Sequence, residues 1–243
     1  CQPDVDSATE LRGNMMHVPK SATAYYFYSS KLLAEIAEVL DKNDDAKEYK
    51  ELSSKIREAY LNRFTDNGIV TGDRQCDYLR PIEFGLLDLN EENAKLLNEM
   101  IIKNNYHLNT GFLSTPFLCP ILCEYGYVET AYRLLLQDSK PSWLYAVKNG
   151  ATTIWENWNG IEDGNNGSLN HYSYGAVSGW LVNGVCGINV ENNKVVIKPY
   201  PNKSLDYASA SYNSPLGLIK SSWKYNGDEI VFDFEIPSNV QAE

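Results

Sequence analysis

The chain has 243 residues, a net charge of −11 and a sequence pI near 4.8. Hydrophobic residues make up 43% of it, which is typical of a soluble globular protein. The acidic balance argues against nucleic acid or an anionic membrane as the partner, because binding to phosphate depends on clustered Lys and Arg. No apolar run reaches the roughly 18 residues that a membrane span needs.

The spacing of apolar residues predicts helices from Ser21 to about Gly187. Ser21 is the predicted cap of the first helix. The predicted buried stripe of that helix consists of Tyr25, Tyr28, Leu32, Leu33, Ile36 and Leu40. The other predicted helices cover residues 44–64, 77–87, 91–104 (capped by Asn90), 115–125, 127–137 and 170–185. Helix pairs joined by short turns indicate an α/α array, and the array has fewer helices than a closed (α/α)6 barrel contains.

The pattern changes after Gly187 to short runs of alternating residues. Strands are predicted at residues 194–199, 208–212, 217–225 and 229–236. Asn226-Gly227 between two such runs predicts a hairpin. The predicted fold is therefore mainly α. Residues 1–187 form an incomplete (α/α)6 barrel, which lacks its N-terminal side, and residues 188–243 form part of an antiparallel β-sandwich.

The residues with the clearest chemical potential lie in a loop-rich segment, residues 140–160. It contains Trp143, Trp155, Trp158 and one carboxylate, Glu156. If the segment is extended, Glu156 and Trp158 point to one side and Trp155 to the other. An aromatic wall beside a carboxylate suits an uncharged sugar ring, with the carboxylate acting on a hydroxyl or a water. The alternative is that the Trp side chains are core and Glu156 is a surface or salt-bridged residue.

A second polar and aromatic cluster, residues 170–175, contains His171 at the start of a predicted helix. A His in such a place is either a hydrogen-bonded structural residue or a ligand contact. The Gly- and Asn-rich residues 161–169 before it are typical of a loop at a pocket mouth.

The sequence offers no pattern for a metal or a cofactor. The three His (His17, His107 and His171) have no ligand spacing between them, and no phosphate-binding or dinucleotide fingerprint occurs. Five irregularly spaced Cys indicate buried small hydrophobic residues rather than disulfides. A cofactor-free hydrolase would fit these absences.

Several blocks of the sequence resemble bacterial α-L-rhamnosidases and occur in the same order as in that family. The blocks are residues 111–117, 131–137, 141–145, 150–156 and 168–176, with weaker likeness at 25–40 and 208–217. The resemblance covers nearly the whole chain. Several blocks in register are more specific than any one motif.

This resemblance implies an (α/α)6 barrel followed by a β-sandwich, and hydrolysis of terminal α-L-rhamnosyl groups with inversion. The expected partner is a rhamnose-containing glycoside or oligosaccharide. Glu156 takes the place of the general base and His171 that of a sugar contact. Trp155, Trp158 and Trp143 are expected to line the site.

The general acid that the family carries in an Asp-Glu-Arg block before these helices has no counterpart in the sequence. Asp73-Arg74 and Glu162-Asp163 are the nearest acidic pairs, but each stands in a different context. We therefore expect the acid, with the missing barrel helices, to lie outside this chain, and the isolated chain to be impaired or inactive. Two alternatives stay open at this point: a different α/α-barrel carbohydrate enzyme and a non-catalytic carbohydrate-binding fragment. The compartment, the oligomeric state and the group attached to rhamnose are not indicated.

Overall fold

The computed structural model of the protein describes residues 17–160 and 167–243. The chain divides into two compact units, one ending at Ile121 and one running from Leu122 to Glu243. The described residues are mainly helical, and their longer strands are antiparallel and lie near the C-terminal end, which confirms the predicted fold class. None of the helices in these residues is long and apolar enough to cross a membrane.

The first unit is built from helices joined by short connections, with one tight hairpin. Its elements are α1 (His17–Val39), α2 (Asn43–Phe64), β1 (Thr65–Asp66), β2 (Ile69–Val70), α3 (Gln75–Phe84), α4 (Asn90–Lys103) and the first residues of α5 (Thr115–Glu124). Asn67 and Gly68 form the turn between β1 and β2, and both have positive φ angles. Such a two-residue turn matches the twist of the strands that it joins.

Two predicted helix caps are wrong. α1 begins at His17, so Ser21 lies inside the helix instead of at its start. α4 begins at Asn90 itself, and the residue before it, Leu89, provides no side-chain cap. The side-chain oxygen of Asn90 has no hydrogen-bond partner among the described residues. A side chain can cap a helix only from the position just before the first helical residue. Both helices begin earlier in the chain than the sequence predicted.

The buried face of α1 also differs from the predicted stripe. α1 packs against α2. Its buried apolar residues are mostly small: Ala24, Phe27, Ala34 and Ala37. Four of the six predicted residues are exposed instead: Leu32, Leu33, Ile36 and Leu40. Both faces of this helix are apolar, and small side chains are the ones that allow a close approach of two helices.

A buried ion pair joins the start of α1 to α3. The Nζ of Lys20 lies 3.6 Å from Oδ2 of Asp77, and the two side chains are 6% and 1% exposed. Lys20 also donates a hydrogen bond to the carbonyl of Thr71. Burial, together with the nearby Asp77 carboxylate, raises the pKa of the Tyr60 phenol above its usual range. The ammonium of Lys20 therefore balances a carboxylate that has very little access to water.

Replacement of Lys20 should destabilise the protein strongly. In Lys20→Met the Asp77 carboxylate loses the ion pair with Lys20 in a buried position, and we expect the free energy of unfolding to fall by about 3–5 kcal/mol. Urea unfolding followed by circular dichroism measures this loss.

The matched control is Lys50→Met, which breaks a surface ion pair with Glu38. Their side chains are 57% and 48% exposed, so the expected loss is no more than about 1 kcal/mol. Equal losses in the two variants would contradict the assigned role of Lys20.

The second unit contains short helical segments followed by strands. The helical segments are α6 (Val128–Leu135), α7 (Trp143–Lys148), a 3₁₀ turn (Tyr172–Ala176), α8 (Val177–Trp180) and a π turn (Leu181–Val185). The helix predicted at 170–185 is therefore divided into three successive segments of different pitch. The strands are β3 (Ile188–Glu191), β4 (Lys194–Ile197), β5 (Tyr207–Ser214), β6 (Gly217–Asn226) and β7 (Glu229–Glu235).

The four predicted strands are confirmed as β4, β5, β6 and β7. β5, β6 and β7 form one antiparallel sheet in that order, which confirms the predicted hairpin. Asn226 pairs with Glu229 as the last residue of β6, so the two turn residues are Gly227 and Asp228. β3, which the sequence did not predict, pairs with β4. A small core holds these strands together, formed by Ile188, Val195 and Ile219.

The four described cysteines, Cys76, Cys119, Cys123 and Cys186, are free and buried, as predicted. Burial raises the pKa of the Cys123 thiol to about 12. At neutral pH this group is a protonated, small hydrophobic side chain. Cys1 lies outside the described residues.

Candidate active site

The sequence suggested that residues 140–160 are rich in loops, but part of this segment is helical. Its first part forms α7, where the hydroxyl of Ser142 accepts a hydrogen bond from the Tyr145 amide at 3.1 Å. This N-cap starts a helix of six residues, and the positive φ of Gly150 follows its end. α7 therefore fixes Trp143 at the base of the loop that carries Glu156.

Two backbone hydrogen bonds bring Glu156 and His171 onto paired segments of chain. The Glu156 amide donates to the Ser168 carbonyl at 2.9 Å, and the His171 amide donates to the Ile154 carbonyl at 2.7 Å. The hydroxyl of Thr153 adds a bond to the carbonyl of Leu169. The two residues to which the resemblance gives catalytic and sugar-binding roles are thus held by one short ladder of hydrogen bonds.

The Glu156 carboxylate has a defined orientation. Its Oε2 accepts a hydrogen bond from the Ser168 amide at 2.7 Å, so Glu156 and Ser168 bond to each other in both directions. Glu156 is half-buried. A hydrogen bond from a backbone N–H to an ionised carboxylate is charge-assisted, and it fixes the position of the oxygen that accepts it.

The chain after Glu156 bends and turns, so the predicted alternation of side chains in an extended segment is wrong. Residues 156–160 form bends and a turn that ends at Gly160, whose φ is +62°. The Trp155 ring lies over Gly160, where a Cβ would come within 2.3 Å of the indole. Glycine is therefore needed there both for its φ and for the close approach of Trp155.

His171 caps the 3₁₀ turn that follows it. Its Nδ1 accepts a long hydrogen bond of 3.4 Å from the Ser173 amide. In the neutral ring this places the proton on Nε2, so that Nε2 is the donor atom. The His171 ring is nearly parallel to that of Tyr172, which is 87% exposed. His171 therefore has a structural role at a turn, and this does not conflict with a ligand contact through Nε2.

Three aromatic residues pack together behind this ladder. The indole N–H of Trp143 donates to the Tyr174 carbonyl at 2.9 Å, and the Trp143 ring meets the edge of Trp158 at 5.7 Å. Trp158 stacks on Tyr174 with 3.8 Å between ring centroids. Trp143 and Tyr174 are buried, whereas Trp158 is half-buried. In this geometry Trp143 mainly supports Trp158.

An apolar cavity of about 300 Å³ lies beside the cluster. Its lining includes the three predicted Trp residues, but of the described residues Glu156 and His171 are not among those that line it. The remaining side chains around it are mostly small or aliphatic and carry no charge: Ser142, Ala146, Val147, Ala151, Thr152, Thr153, Ile154, Asn157, Tyr174 and Val177. The structure thus separates the predicted site residues into a polar pair and an adjoining apolar group.

Sequence reasoning did not identify two contributors to this geometry. Ser168 acts through its backbone amide, which no side-chain pattern reveals. Tyr174 was visible within an aromatic cluster, but its stacking on Trp158 depends on how the 3₁₀ turn folds back.

The sequence offered two acidic pairs, Asp73-Arg74 and Glu162-Asp163, as possible sources of a second carboxylate. The described part of the second unit contains neither pair. Asp73 is exposed and belongs to the first unit. Glu162 and Asp163 lie outside the described residues, as do residues 161–166 of the predicted pocket-mouth loop.

Two family models account for most of the chain. The model of the bacterial alpha-L-rhamnosidase 6 hairpin glycosidase domain matches residues 11–185, and that of the bacterial alpha-L-rhamnosidase C-terminal domain matches residues 193–243. The chain belongs to the bacterial α-L-rhamnosidase family. The resemblance seen in the sequence is therefore confirmed.

Curated α-L-rhamnosidases give the same result over most of this family member. It is 38% identical to an alpha-L-rhamnosidase of Formosa agariphila and 36% identical to one of Streptomyces avermitilis, each over 91% of the chain. The matches cover 25% and 22% of those relatives. The chain thus spans about a quarter of the length of the relatives it matches.

Solved rhamnosidase structures share the fold of this chain. The Streptomyces avermitilis α-L-rhamnosidase complexed with L-rhamnose matches with a TM-score of 0.84 at 35% identity, over 91% of the chain and 22% of that structure. The Aspergillus terreus enzyme matches with a TM-score of 0.81 at 31% identity, over 90% of the chain and 27% of that structure.

Proposed function

We propose that a protein containing this chain hydrolyses terminal α-L-rhamnosyl groups, with Glu156 as the general base. The observation that carries the proposal is that the Ser168 amide holds the Glu156 carboxylate by a hydrogen bond. Backbone hydrogen bonds also pair the segment that carries Glu156 with the segment that carries His171. Family membership supports the choice of rhamnose as the sugar. The proposed substrate is a rhamnose-containing glycoside or oligosaccharide.

The proposed reaction inverts the configuration at the anomeric carbon. Glu156 takes a proton from a water molecule while the oxygen of that water attacks the anomeric carbon. The glycosidic bond breaks on the opposite face, and a second carboxylic acid protonates the departing oxygen. The two carboxyl groups stand roughly 6.5–9.5 Å apart in such enzymes, which leaves room for the water. We place the acid outside this chain.

His171 is proposed to bind a sugar hydroxyl through Nε2, the protonated nitrogen of its neutral ring. Trp155 and Trp158 are proposed to contact the less polar face of the sugar, since both are half-buried. Trp143 contributes by supporting Trp158. A division of the chain into barrel residues 1–187 and sandwich residues 188–243 is part of the same proposal.

The stereochemistry of the product tests this mechanism. We expect a chimera, in which this chain replaces the matching quarter of the Formosa agariphila relative, to release β-L-rhamnose first from an aryl α-L-rhamnoside. ¹H NMR distinguishes the anomers before they equilibrate. Release of α-L-rhamnose first would contradict inversion. Hydrolysis of other aryl glycosides in preference to the rhamnoside would contradict the proposed substrate.

A further inference from the structure

The two carboxylate oxygens of Glu156 are in different situations. Oε2 accepts the Ser168 N–H at 2.7 Å, and the same two residues are joined again by the Glu156 N–H and the Ser168 carbonyl. Oε1 has no hydrogen-bond partner among the residues that the structure describes. The described residues therefore fix the side chain at one oxygen and leave the other without a hydrogen bond to them.

The residue before Ser168 is a glycine that lies against Asn157. A Cβ at Gly167 would lie 2.1 Å from Nδ2 of Asn157 and 3.5 Å from Oε2 of Glu156. Gly167 thus lets the backbone approach the Asn157 side chain closely, and the distance to Oε2 is that of ordinary van der Waals contact. The backbone of Gly167 and Ser168 therefore contacts two consecutive side chains, those of Glu156 and Asn157.

We propose that Gly167-Ser168 is the positioning element of the catalytic base: its amide N–H holds Oε2 of Glu156, and Oε1 is the oxygen that accepts the proton from water. This inference rests on the proposed role of Glu156. Ser168 is a positioning residue and has no contact with the reacting atoms in this scheme. Its side chain is not required, because the contact is made by the backbone.

The Ser168 side chain has a separate local role, which makes a matched comparison possible. Its Oγ accepts a hydrogen bond from the Asn170 amide at 3.1 Å. Ser168→Ala and Ser168→Pro both remove that acceptor, but only Ser168→Pro also removes the N–H. The difference between the two variants therefore reports on the backbone donor.

NMR on the 243-residue chain tests the contact without any need for turnover. With ¹⁵N-labelled serine and ¹³C-labelled glutamate, we expect the Ser168 amide proton to shift with the same midpoint as the Glu156 carboxyl carbon. Glu156→Gln should abolish this shift. An amide proton that does not follow Glu156, or that titrates unchanged in Glu156→Gln, would overturn the proposal.

His171 is the other described titratable group on the ladder, and the NMR signals of its own ring follow its titration independently. A shift of the Ser168 amide proton that follows only the His171 titration would count against the proposed contact with Oε2.

Kinetics in the chimera test the functional consequence. We expect Ser168→Pro to lower kcat by about 10- to 100-fold relative to Ser168→Ala, with KM changed less than about twofold, as for loss of a hydrogen bond to a charged group. Equal kcat values in the two variants would overturn the positioning role. If Ser168→Pro fails to fold by circular dichroism, the NMR titration decides.

These outcomes are distinct from failure of the proposed function. If Glu156→Gln leaves the activity of the chimera intact, the general base is wrong, whatever the serine variants do. If Glu156→Gln abolishes activity but Ser168→Pro matches Ser168→Ala, the base is right and only the positioning element is wrong.

Discussion

Glu156→Gln should lower kcat in the chimera with the Formosa agariphila relative by about 10²–10⁴-fold or more. The glutamine amide cannot take a proton from water. Its side-chain oxygen can still accept the Ser168 N–H, so the loop that carries it should keep its shape. Hydrolysis of an aryl α-L-rhamnoside measures the loss, and circular dichroism confirms folding.

A matched control is Glu191→Gln, which makes the same change of charge at an exposed position in β3. This variant should keep the activity of the unmodified chimera. Activity of Glu156→Gln within about twofold of this control would remove Glu156 from the mechanism and favour a non-catalytic, carbohydrate-binding role for the segment.

The isolated 243-residue chain should show no turnover of the same substrate above the level of its own Glu156→Gln variant. Inverting hydrolysis needs an acid as well as a base, and loss of either group removes most of the rate enhancement. The chain provides the proposed base, but its remaining acidic pairs do not fit the family pattern for the acid. Hydrolysis of the aryl α-L-rhamnoside by the folded chain is the measurement.

The active chimera, purified in the same way, is the positive control for the isolated chain. If the isolated chain hydrolyses the substrate and Glu156→Gln abolishes that activity, an acid lies within the 243 residues. Glu162→Gln and Asp163→Asn would then be the next variants to test.

Local signals in the sequence were sufficient for much of the fold. Asn226-Gly227 predicted a hairpin, and the strands on either side pair as expected. The turn itself is Gly227-Asp228, with the positive φ at Gly227. The long helices followed from their apolar spacing. The strand β3 was missed because it has only four residues, of which just Ile188 and Val190 are apolar.

Periodicity alone failed where a helix has two apolar faces. In α1 it selected the large residues Leu33 and Ile36, whereas the structure buries Ala34 and Ala37. Spacing locates apolar faces, but the choice between them depends on which neighbour is present.

The candidate site was predictable in its residues but not in its geometry. The resemblance singled out Glu156 and His171, and the structure pairs the segments that carry them. The donor to Glu156 is the backbone amide of Ser168, which lies 12 residues further along the chain. Side-chain patterns carry no signal for a contact made by a backbone amide.

The outward face of α1 affects how the isolated chain behaves in solution. Leu33 and Ile36 of α1 are 44% and 53% exposed, and Leu40, just after its end, is 62% exposed. Exposed apolar surface of this kind promotes self-association in water. Light scattering of the pure chain should therefore depend on its concentration, and dilute samples or a solubilising fusion are the suitable conditions for handling it.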